Sequence, residues 1–226
     1  MIIVTGASKG IGLAIAERLF SNGEEVLGLS RNPGNQIFET RSLDVTDFAD
    51  LKRISDEIRL TGRKVSAVIN VAGIASMNIA LMANPFVSEK LVKVNFLGTV
   101  YSSQAFAPLI IRNGGGSIIN FSTIAAALNL EGESIYAATK AAIENYSTTL
   151  AKELSGFKVN VNCIAPGPIA TDLLRGVSQD QIREIVNAQI FKIQFQVQDV
   201  VDIVDLLLDS KAKSLTGQTF HIGGIR

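Results

Sequence analysis

The stretch Ile2-Ile3-Val4-Thr5-Gly6-Ala7-Ser8-Lys9-Gly10-Ile11-Gly12 opens this chain of 226 residues. Its first four residues are apolar or β-branched, which is typical of a buried strand. Residues 11–21 then follow the periodicity of an amphipathic helix. Glycines between a strand and a helix allow the backbone to approach a pyrophosphate at the helix N-terminus. The stretch therefore predicts a turn that binds the phosphates of a dinucleotide, in the spacing G-x-x-x-G-x-G.

The rest of the chain continues the alternation of strands and helices. Further strands are predicted at residues 26–30, 37–43, 65–71, 117–121, 159–164 and 219–222, and further helices at residues 47–61, 88–112, 134–155, 178–188 and 197–210. Such an order predicts an α/β fold with a parallel sheet. Because the sequence contains no repeat and no linker, we expect residues 1–226 to form a single domain.

The connection between the second and third predicted strands is unusually short. Parallel strands are normally joined by a dozen or more residues that include a helix. Here only residues 31–36 separate them, and six extended residues reach about 20 Å. We therefore expect the helix between these two strands to be missing.

Composition excludes several classes of function. Lys and Arg number 21, as do Asp and Glu, so no charge excess indicates a nucleic-acid or membrane surface. No apolar run reaches the roughly 18 residues of a membrane span, and Met1 leads into a strand-like run without a basic region. One His and one Cys, Cys163, exclude a Cys/His metal cluster, and a lone Cys suits a reducing compartment. We expect a cytoplasmic protein with no membrane, nucleic-acid or metal partner.

The second predicted strand ends at Ser30 and Arg31, with no carboxylate. An acidic residue there accepts the ribose hydroxyls of NAD, whereas a basic one neutralises the 2′-phosphate of NADP. Arg31 can pair with a phosphate through two charge-assisted bonds, and Ser30 can donate another. The sequence thus favours NADP(H), although Arg31 and Lys9 could also be solvated surface charges.

Tyr136 and Lys140 are four residues apart in a predicted helix, and so lie one turn apart on one face. A phenol ordinarily titrates near pH 10. A neighbouring ammonium stabilises the phenolate and lowers that pKa. Tyr136 could then act as a general acid in reduction and as a general base in oxidation.

These motifs together resemble the short-chain dehydrogenase/reductase family, in its non-extended branch and among members similar to 3-oxoacyl-carrier-protein reductases. The matching segments, in order, are the glycine-rich turn, Asp44-Val45, Asn70-Val71-Ala72-Gly73, Asn95, Tyr136-x-x-x-Lys140 and Pro166-Gly167-Pro168-Ile169-x-Thr171. The resemblance implies a doubly wound Rossmann-type domain with a seven-stranded parallel sheet. Val71 departs from the family pattern, which has a second Asn there.

The resemblance also implies roles for individual residues. The residues expected to bind the cofactor are Gly6, Ser8, Lys9, Gly10, Ile11, Gly12, Ser30, Arg31, Asp44, Val45, Asn70, Ala72, Gly73, Tyr136, Lys140, Pro166, Gly167, Ile169 and Thr171. Within that set Asp44 contacts the adenine, whereas Ile169 and Thr171 bond the nicotinamide carboxamide. Asn95 is expected to order a water that links Lys140 to solvent.

The family also uses a hydroxyl group after the fifth strand to hold the substrate oxygen. Asn120-Phe121-Ser122-Thr123 resembles the family's Asn-x-Ser-Ser, whose catalytic member lies about 13 positions before the Tyr. Counting back from Tyr136 favours Thr123, with Ser122 as the alternative. Either hydroxyl can donate a hydrogen bond to a carbonyl oxygen.

Residues 172–197 occupy the position of the family's substrate lid. Their apolar side chains could line a cleft or pack on the body of the protein, and Arg175, Arg183 and Lys192 could attract an acidic substrate. Small residues in two long helices (Ala105, Ala107, Ala137, Ala138, Ala141 and Ala142) suggest a homodimer or homotetramer.

The sequence therefore predicts an NADP(H)-dependent oxidoreductase that acts on a carbonyl or secondary alcohol, with a small-molecule substrate. An NAD-dependent sugar or hydroxyacid dehydrogenase and a non-catalytic nucleotide-binding regulator are the alternatives.

Overall fold

The strands form one parallel sheet in the protein, which is represented by a computed structural model describing residues 1–171, 174 and 177–225. The strands are β1 (Ile2–Thr5), β2 (Val26–Ser30), β3 (Glu39–Ser42), β4 (Ala67–Asn70), β5 (Gly116–Phe121), β6 (Val159–Ala165) and β7 (Thr219–His221). Their order in the sheet is β3-β2-β1-β4-β5-β6-β7. This confirms the predicted seven-stranded, doubly wound fold. The order reverses between β1 and β4, and such a switch point is where open α/β sheets bind ligands.

Helices cover both faces of the sheet. They are α1 (Gly10–Ser21), α2 (Phe48–Thr61), α3 (Pro85–Leu91), α4 (Gly98–Arg112), α5 (Ala125–Leu128), α6 (Ser134–Leu154), α7 (Gln179–Ala188) and α8 (Val197–Leu208). One apolar core lies between the sheet and α2, α4 and α6, and contains Phe106 and Ile110. The second lies between the sheet and α1 and α8, and contains Ile15 and Val204. The strands β1, β2 and β4 are therefore buried on both sides, as their apolar sequences require, whereas the edge strand β3 is polar and partly exposed.

The predicted loss of the helix between β2 and β3 is confirmed, since residues 31–38 contain no helix. Phe38 covers part of β2, which the missing helix would otherwise have covered. A Cβ on Gly28 would lie only 2.6 Å from Cε2 of Phe38, so the ring lies directly on the β2 backbone. β3 consequently begins at Glu39 and not at residue 37 as expected, because Phe38 is turned onto β2 while Ile37 is 64% exposed.

The helix predicted at residues 88–112 begins earlier, at Pro85, and consists of α3, a π-helical turn (Val92–Leu97) and α4. The whole stretch Pro85–Arg112 is long and apolar enough to cross a membrane, contrary to the expectation that no segment would be. However, 56% of its most apolar window is buried inside the protein. Buried core helices of soluble proteins share this property, so length and composition are weak grounds for a span.

Candidate active site

The glycine-rich turn lies at the carboxyl end of β1 and leads into α1, as the sequence predicts. Gly6 has φ +73°, and a Cβ there would lie 2.9 Å from the Ala72 backbone. A Cβ on Gly12 would collide with the Gly6 carbonyl oxygen. Both positions therefore require glycine, and the resulting bare backbone exposes the N-terminus of α1 to an incoming anion.

Other predicted site segments meet at this turn. A Cβ on Gly10 would lie 3.7 Å from the side chain of Thr171, so the segment after β6 lies against the glycine-rich turn. Ile169 is buried, and the Pro166 carbonyl accepts a hydrogen bond from the Ile124 amide at 3.0 Å. The Pro-Gly segment is thereby joined to the chain that follows β5.

The ends of β2 and β3 place Arg31 and Asp44 on one side of the switch point. Arg31 is exposed, and its carbonyl accepts a hydrogen bond from the Ser42 hydroxyl at 3.0 Å. Burial raises the pKa of Asp44, but two hydrogen bonds from Thr46 and the charge of Arg31 outweigh burial and lower it. Asp44 is thus an ionised acceptor within electrostatic reach of Arg31.

Tyr136 is 7% exposed, and the Thr123 hydroxyl is near enough to its phenol to affect its pKa. Burial raises the pKa of Tyr136 far above its usual value, the Glu133 carboxylate raises it further, and the Thr123 bond lowers it. The phenol is therefore strongly held in its protonated form, as a general acid requires.

Ser122, the alternative hydroxyl, contacts α6 one and two turns after Tyr136. Its Oγ donates to Glu144 Oε1 at 2.6 Å and lies 3.2 Å from the Lys140 carbonyl oxygen. Because this bond to a carboxylate is strong, we expect the Ser122 hydroxyl to stay bonded to α6. Of the two candidates, the geometry favours Thr123 as the group beside the phenol.

Lys140 is buried, and its ammonium donates to the Phe121 carbonyl at 2.8 Å. The Nζ atom lies 6.0 Å from the centre of the Tyr136 ring. Burial lowers the pKa of Lys140 to about 8, against a smaller opposing effect of Cys163. Lys140 can therefore gain or lose a proton near neutral pH.

The depressed pKa of Lys140 predicts a specific pH dependence of stability. The unfolded lysine titrates near 10.4, so between about pH 8 and 10.4 the unfolded chain binds more protons and stability rises with pH. The buried Lys140 thus lowers the free energy of unfolding by its full amount below about pH 8. This destabilisation disappears as the pH rises towards 10.4. Between pH 7 and 10, the free energy of unfolding of the wild type is therefore expected to rise by about 2–3 kcal/mol more than that of Lys140→Met.

Urea unfolding of both proteins at these two pH values measures this difference. Lys152→Met is the control, because Lys152 is an exposed residue of the same helix. Parallel pH profiles for Lys140→Met and the wild type would contradict the prediction.

Asn95 lies in the π-helical turn and is completely buried. Its Oδ1 accepts from the Ile74 amide at 2.8 Å, and its Nδ2 donates to the Ile74 carbonyl at 3.0 Å and to the Thr139 hydroxyl at 3.2 Å. A Cβ on Gly73 would lie 3.3 Å from Asn95 Oδ1 and 3.5 Å from Lys140 Nζ. The π-helical turn therefore places Asn95 close to both Gly73 and Lys140.

The family model described as short chain dehydrogenase matches residues 1–182. The chain belongs to the short-chain dehydrogenase family. Its members are oxidoreductases that bind a nicotinamide cofactor, and this chain is accordingly an oxidoreductase of that family.

Individual relatives of the short-chain dehydrogenase family match nearly the whole chain. The 3-oxoacyl-[acyl-carrier-protein] reductase of Escherichia coli K12 is 31% identical, over 98% of this chain and 95% of the relative. The aldohexose dehydrogenase of Thermoplasma acidophilum superposes with a TM-score of 0.89 and 28% identity, over 99% and 92% of the two chains. A short-chain type dehydrogenase/reductase from Mycobacterium ulcerans gives a TM-score of 0.91 and 27% identity, over 99% and 88%.

Asn70 does not turn its side chain towards the short-chain dehydrogenase site. Its Nδ2 donates to Asn120 Oδ1 at 2.8 Å and to Ser103 Oγ at 3.1 Å, and Asn120 Nδ2 donates to Ser147 Oγ at 2.8 Å. These buried side chains connect α4, the sheet and α6. The Asn70 side chain is thus bound through Nδ2, while its buried Oδ1 has no hydrogen-bond partner among the described residues.

Residues 189–194 form a strap across the Pro-Gly segment. Gln189 is completely buried, and a Cβ on Gly167 would lie 2.8 Å from its Oε1. The Gln194 side-chain amide donates to the Pro168 carbonyl at 3.0 Å, and the Phe191 backbone amide donates to the Gly223 carbonyl at 2.9 Å. The strap thus holds the Pro-Gly segment against the end of the chain.

The predicted lid is partly described. Ile182 and Ile185 of α7 are buried, so these side chains pack on the protein. Arg183 forms an ion pair with Asp180, whereas Arg175 lies outside the described residues. The pairing of Arg183 weakens the expectation that basic lid residues attract an acidic substrate.

Sequence reasoning missed Glu133, Glu144 and Gln189. Glu133 and Glu144 share a helical periodicity with Tyr136 and Lys140, since steps of three and four residues join all four positions. That signal was present and could have identified both carboxylates. Gln189 has no comparable local signal, because its importance arises from contact with Gly167.

Proposed function

We propose that this chain is an NADP(H)-dependent oxidoreductase that transfers hydride between the nicotinamide and a carbonyl or secondary alcohol carbon. Tyr136 serves as general acid and base, assisted by Lys140. The observation that supports this most strongly is the buried pair of Tyr136 and Lys140, whose ammonium lies 6.0 Å from the centre of the phenol ring. Consumption of NADPH by a panel of ketones and aldehydes is the direct test. Absence of both NADPH binding and turnover would contradict the proposal.

The site fits a nicotinamide dinucleotide, because the backbone around Gly6 and Gly12 forms a cradle that a Cβ would fill. The amides of residues 6–12 would hold the pyrophosphate, and Lys9, Ser30 and Arg31 the 2′-phosphate. Asp44 and Val45 would hold the adenine, and Ile169 and Thr171 the carboxamide. When bound, the cofactor supplies the hydride for reduction and accepts it in oxidation.

In reduction, the Tyr136 hydroxyl donates its proton to the carbonyl oxygen, while the Thr123 hydroxyl donates a hydrogen bond to the same atom. In oxidation, the phenolate accepts the proton of the alcohol. The Lys140 ammonium lowers the free energy of the phenolate. Asn95 positions Gly73 and Lys140 through its bonds to Ile74, and by resemblance to the family it orders the water that carries protons to solvent.

Cofactor choice can be tested at Arg31. Arg31→Ala is expected to raise the Kd of NADPH about 10- to 100-fold, because a charge-assisted bond to the 2′-phosphate is lost. The Kd of NADH is expected to change less than about threefold, since NADH lacks that phosphate. Fluorescence titration measures both constants. Arg112→Ala at the far end of α4 is the control, and an equal loss for both cofactors at Arg31 would contradict NADP preference.

Among the alternatives, an NAD-dependent sugar dehydrogenase gains support from the likeness to the aldohexose dehydrogenase. A non-catalytic regulator gains none from the site, because the Tyr136, Thr123 and Lys140 groups are all present and adjacent.

We also infer a cytoplasmic homo-oligomer formed from a single-domain chain. The free, buried Cys163 supports a reducing compartment. Ala138 and Ala141 are exposed on α6 and support a contact between copies. Ala105 and Ala107 are buried within the chain and cannot contribute to that contact.

A further inference from the structure

Glu144 is a carboxylate that the proposed reaction does not use, and it lies one turn after Lys140 on the same face of α6. Its Oε1 accepts a hydrogen bond from the Ser122 hydroxyl at 2.6 Å. Among the described residues, its only ion-pair partner within 4 Å is His221 of β7, whose Nε2 lies 3.9 Å from the same oxygen atom. That distance is too long for a hydrogen bond, so Ser122 is the group that orders the carboxylate.

Residues 121–123, which include Ser122, also carry two groups of the proposed reaction. The Phe121 carbonyl accepts a hydrogen bond from the Lys140 ammonium at 2.8 Å. Thr123 is the candidate donor to the substrate oxygen. Since these two residues flank Ser122 in the chain, the position of Ser122 sets where both of them lie.

Ser122 is held by one backbone bond and one side-chain bond. Its amide donates to the Ile164 carbonyl of β6 at 2.8 Å, which fixes it to the sheet. Its hydroxyl has a single proton, and the Glu144 carboxylate at 2.6 Å is a closer and stronger acceptor than the Lys140 carbonyl at 3.2 Å. Glu144 therefore fixes residues 121–123 to the helix that carries Tyr136 and Lys140.

We propose that Glu144 is a positioning residue of this active site, which acts through Ser122 on the Lys140 ammonium and the Thr123 hydroxyl. The inference rests on the proposed function of the same site. Without the carboxylate, residues 121–123 can shift relative to α6, and the Phe121 carbonyl no longer holds the ammonium in one place. The glycine-rich turn belongs to β1 and α1, so the cofactor is expected to bind as before.

Substitution of Glu144 separates the bond from the charge. Glu144→Leu is expected to lower kcat about 5- to 10-fold, because a displacement of about 1 Å can cost about 100-fold in rate and partial release of the segment costs less. The Kd of NADPH is expected to change less than about threefold. Glu144→Gln is expected to keep kcat within about twofold of the wild type, since its amide oxygen can accept the same bond from Ser122.

The measurements are steady-state kinetics with the ketone or aldehyde that the wild type reduces fastest, and fluorescence titration with NADPH. Thermal unfolding of each variant ensures that kcat is measured on folded protein. If Glu144→Leu does not fold, Glu144→Asp replaces it and the same loss is expected, because its shorter side chain draws the carboxylate away from Ser122. Glu153→Leu and Glu153→Gln are matched controls, since Glu153 is an exposed carboxylate of the same helix.

A double-mutant cycle tests whether Glu144 acts through Ser122. Ser122→Ala alone is expected to lower kcat about fivefold, and the Ser122→Ala/Glu144→Leu protein is expected to be no slower than Glu144→Leu alone. Losses that multiply in the double variant would show that the two residues act separately and would overturn the inference.

An unchanged kcat in Glu144→Leu, or equal losses in Glu144→Leu and Glu144→Gln, would also overturn the inference and leave the proposed function in place. A wild-type protein that neither binds NADPH nor oxidises it with any ketone or aldehyde would overturn the proposed function itself.

Discussion

Tyr136→Phe is expected to lower kcat/KM by about 10³-fold or more while the Kd of NADPH changes less than about threefold. The substitution removes only the hydroxyl that donates the proton. Because Tyr136 is a buried residue of α6, the phenyl ring fills the same space and the fold is retained. Steady-state kinetics and fluorescence titration measure the two quantities.

The contrast between turnover and binding decides between an enzyme and a regulator. Tyr101→Phe is a suitable control, because Tyr101 packs against Phe48 in another part of the protein. Unchanged turnover in Tyr136→Phe would contradict the assigned role of the phenol. A loss of turnover that merely followed a loss of NADPH binding would contradict it too.

Thr123→Val is expected to lower kcat/KM by about 10²-fold, because it removes a donor to the reacting oxygen and nearly preserves the shape of the side chain. Ser122→Ala is expected to lower it by less than about tenfold. Its main effect is on stability, since the Glu144 carboxylate loses its bond from Ser122 at 2.6 Å.

The two substitutions are matched, since they remove neighbouring hydroxyls on the same segment. Kinetics together with thermal unfolding separates catalysis from folding. The reverse order, with a large kinetic loss in Ser122→Ala and a small one in Thr123→Val, would assign the substrate bond to Ser122.

Most of the fold could be predicted from local sequence. The alternation of strands and helices follows from the side-chain periodicity of each segment. The glycine-rich turn could be predicted because its glycines lie between a strand and a helix. Even the missing helix between β2 and β3 was predictable, because too few residues separate them. Where β3 begins was not, since it depends on Phe38 lying on Gly28 of another strand.

The candidate site, too, could be predicted from the sequence only in part. Tyr136 and Lys140 lie on one helix, so their spacing alone places them on one face. The choice between Thr123 and Ser122 depends on which hydroxyl meets Glu144, a residue 22 positions away from Ser122. The π-helical turn around Asn95 likewise depends on Ile74, 21 positions away, and on Thr139, 44 positions away.

Local sequence is enough to predict the glycine-rich turn, the order of strands and helices, and the Tyr136–Lys140 pair. These are consequences of periodicity and of backbone freedom within short segments. The bond between Ser122 and Glu144, and the place where the strap crosses the Pro-Gly segment, depend instead on the tertiary structure. The physical reason is that burial and hydrogen-bond partners are set by residues far apart in the chain, which meet only when the sheet is assembled.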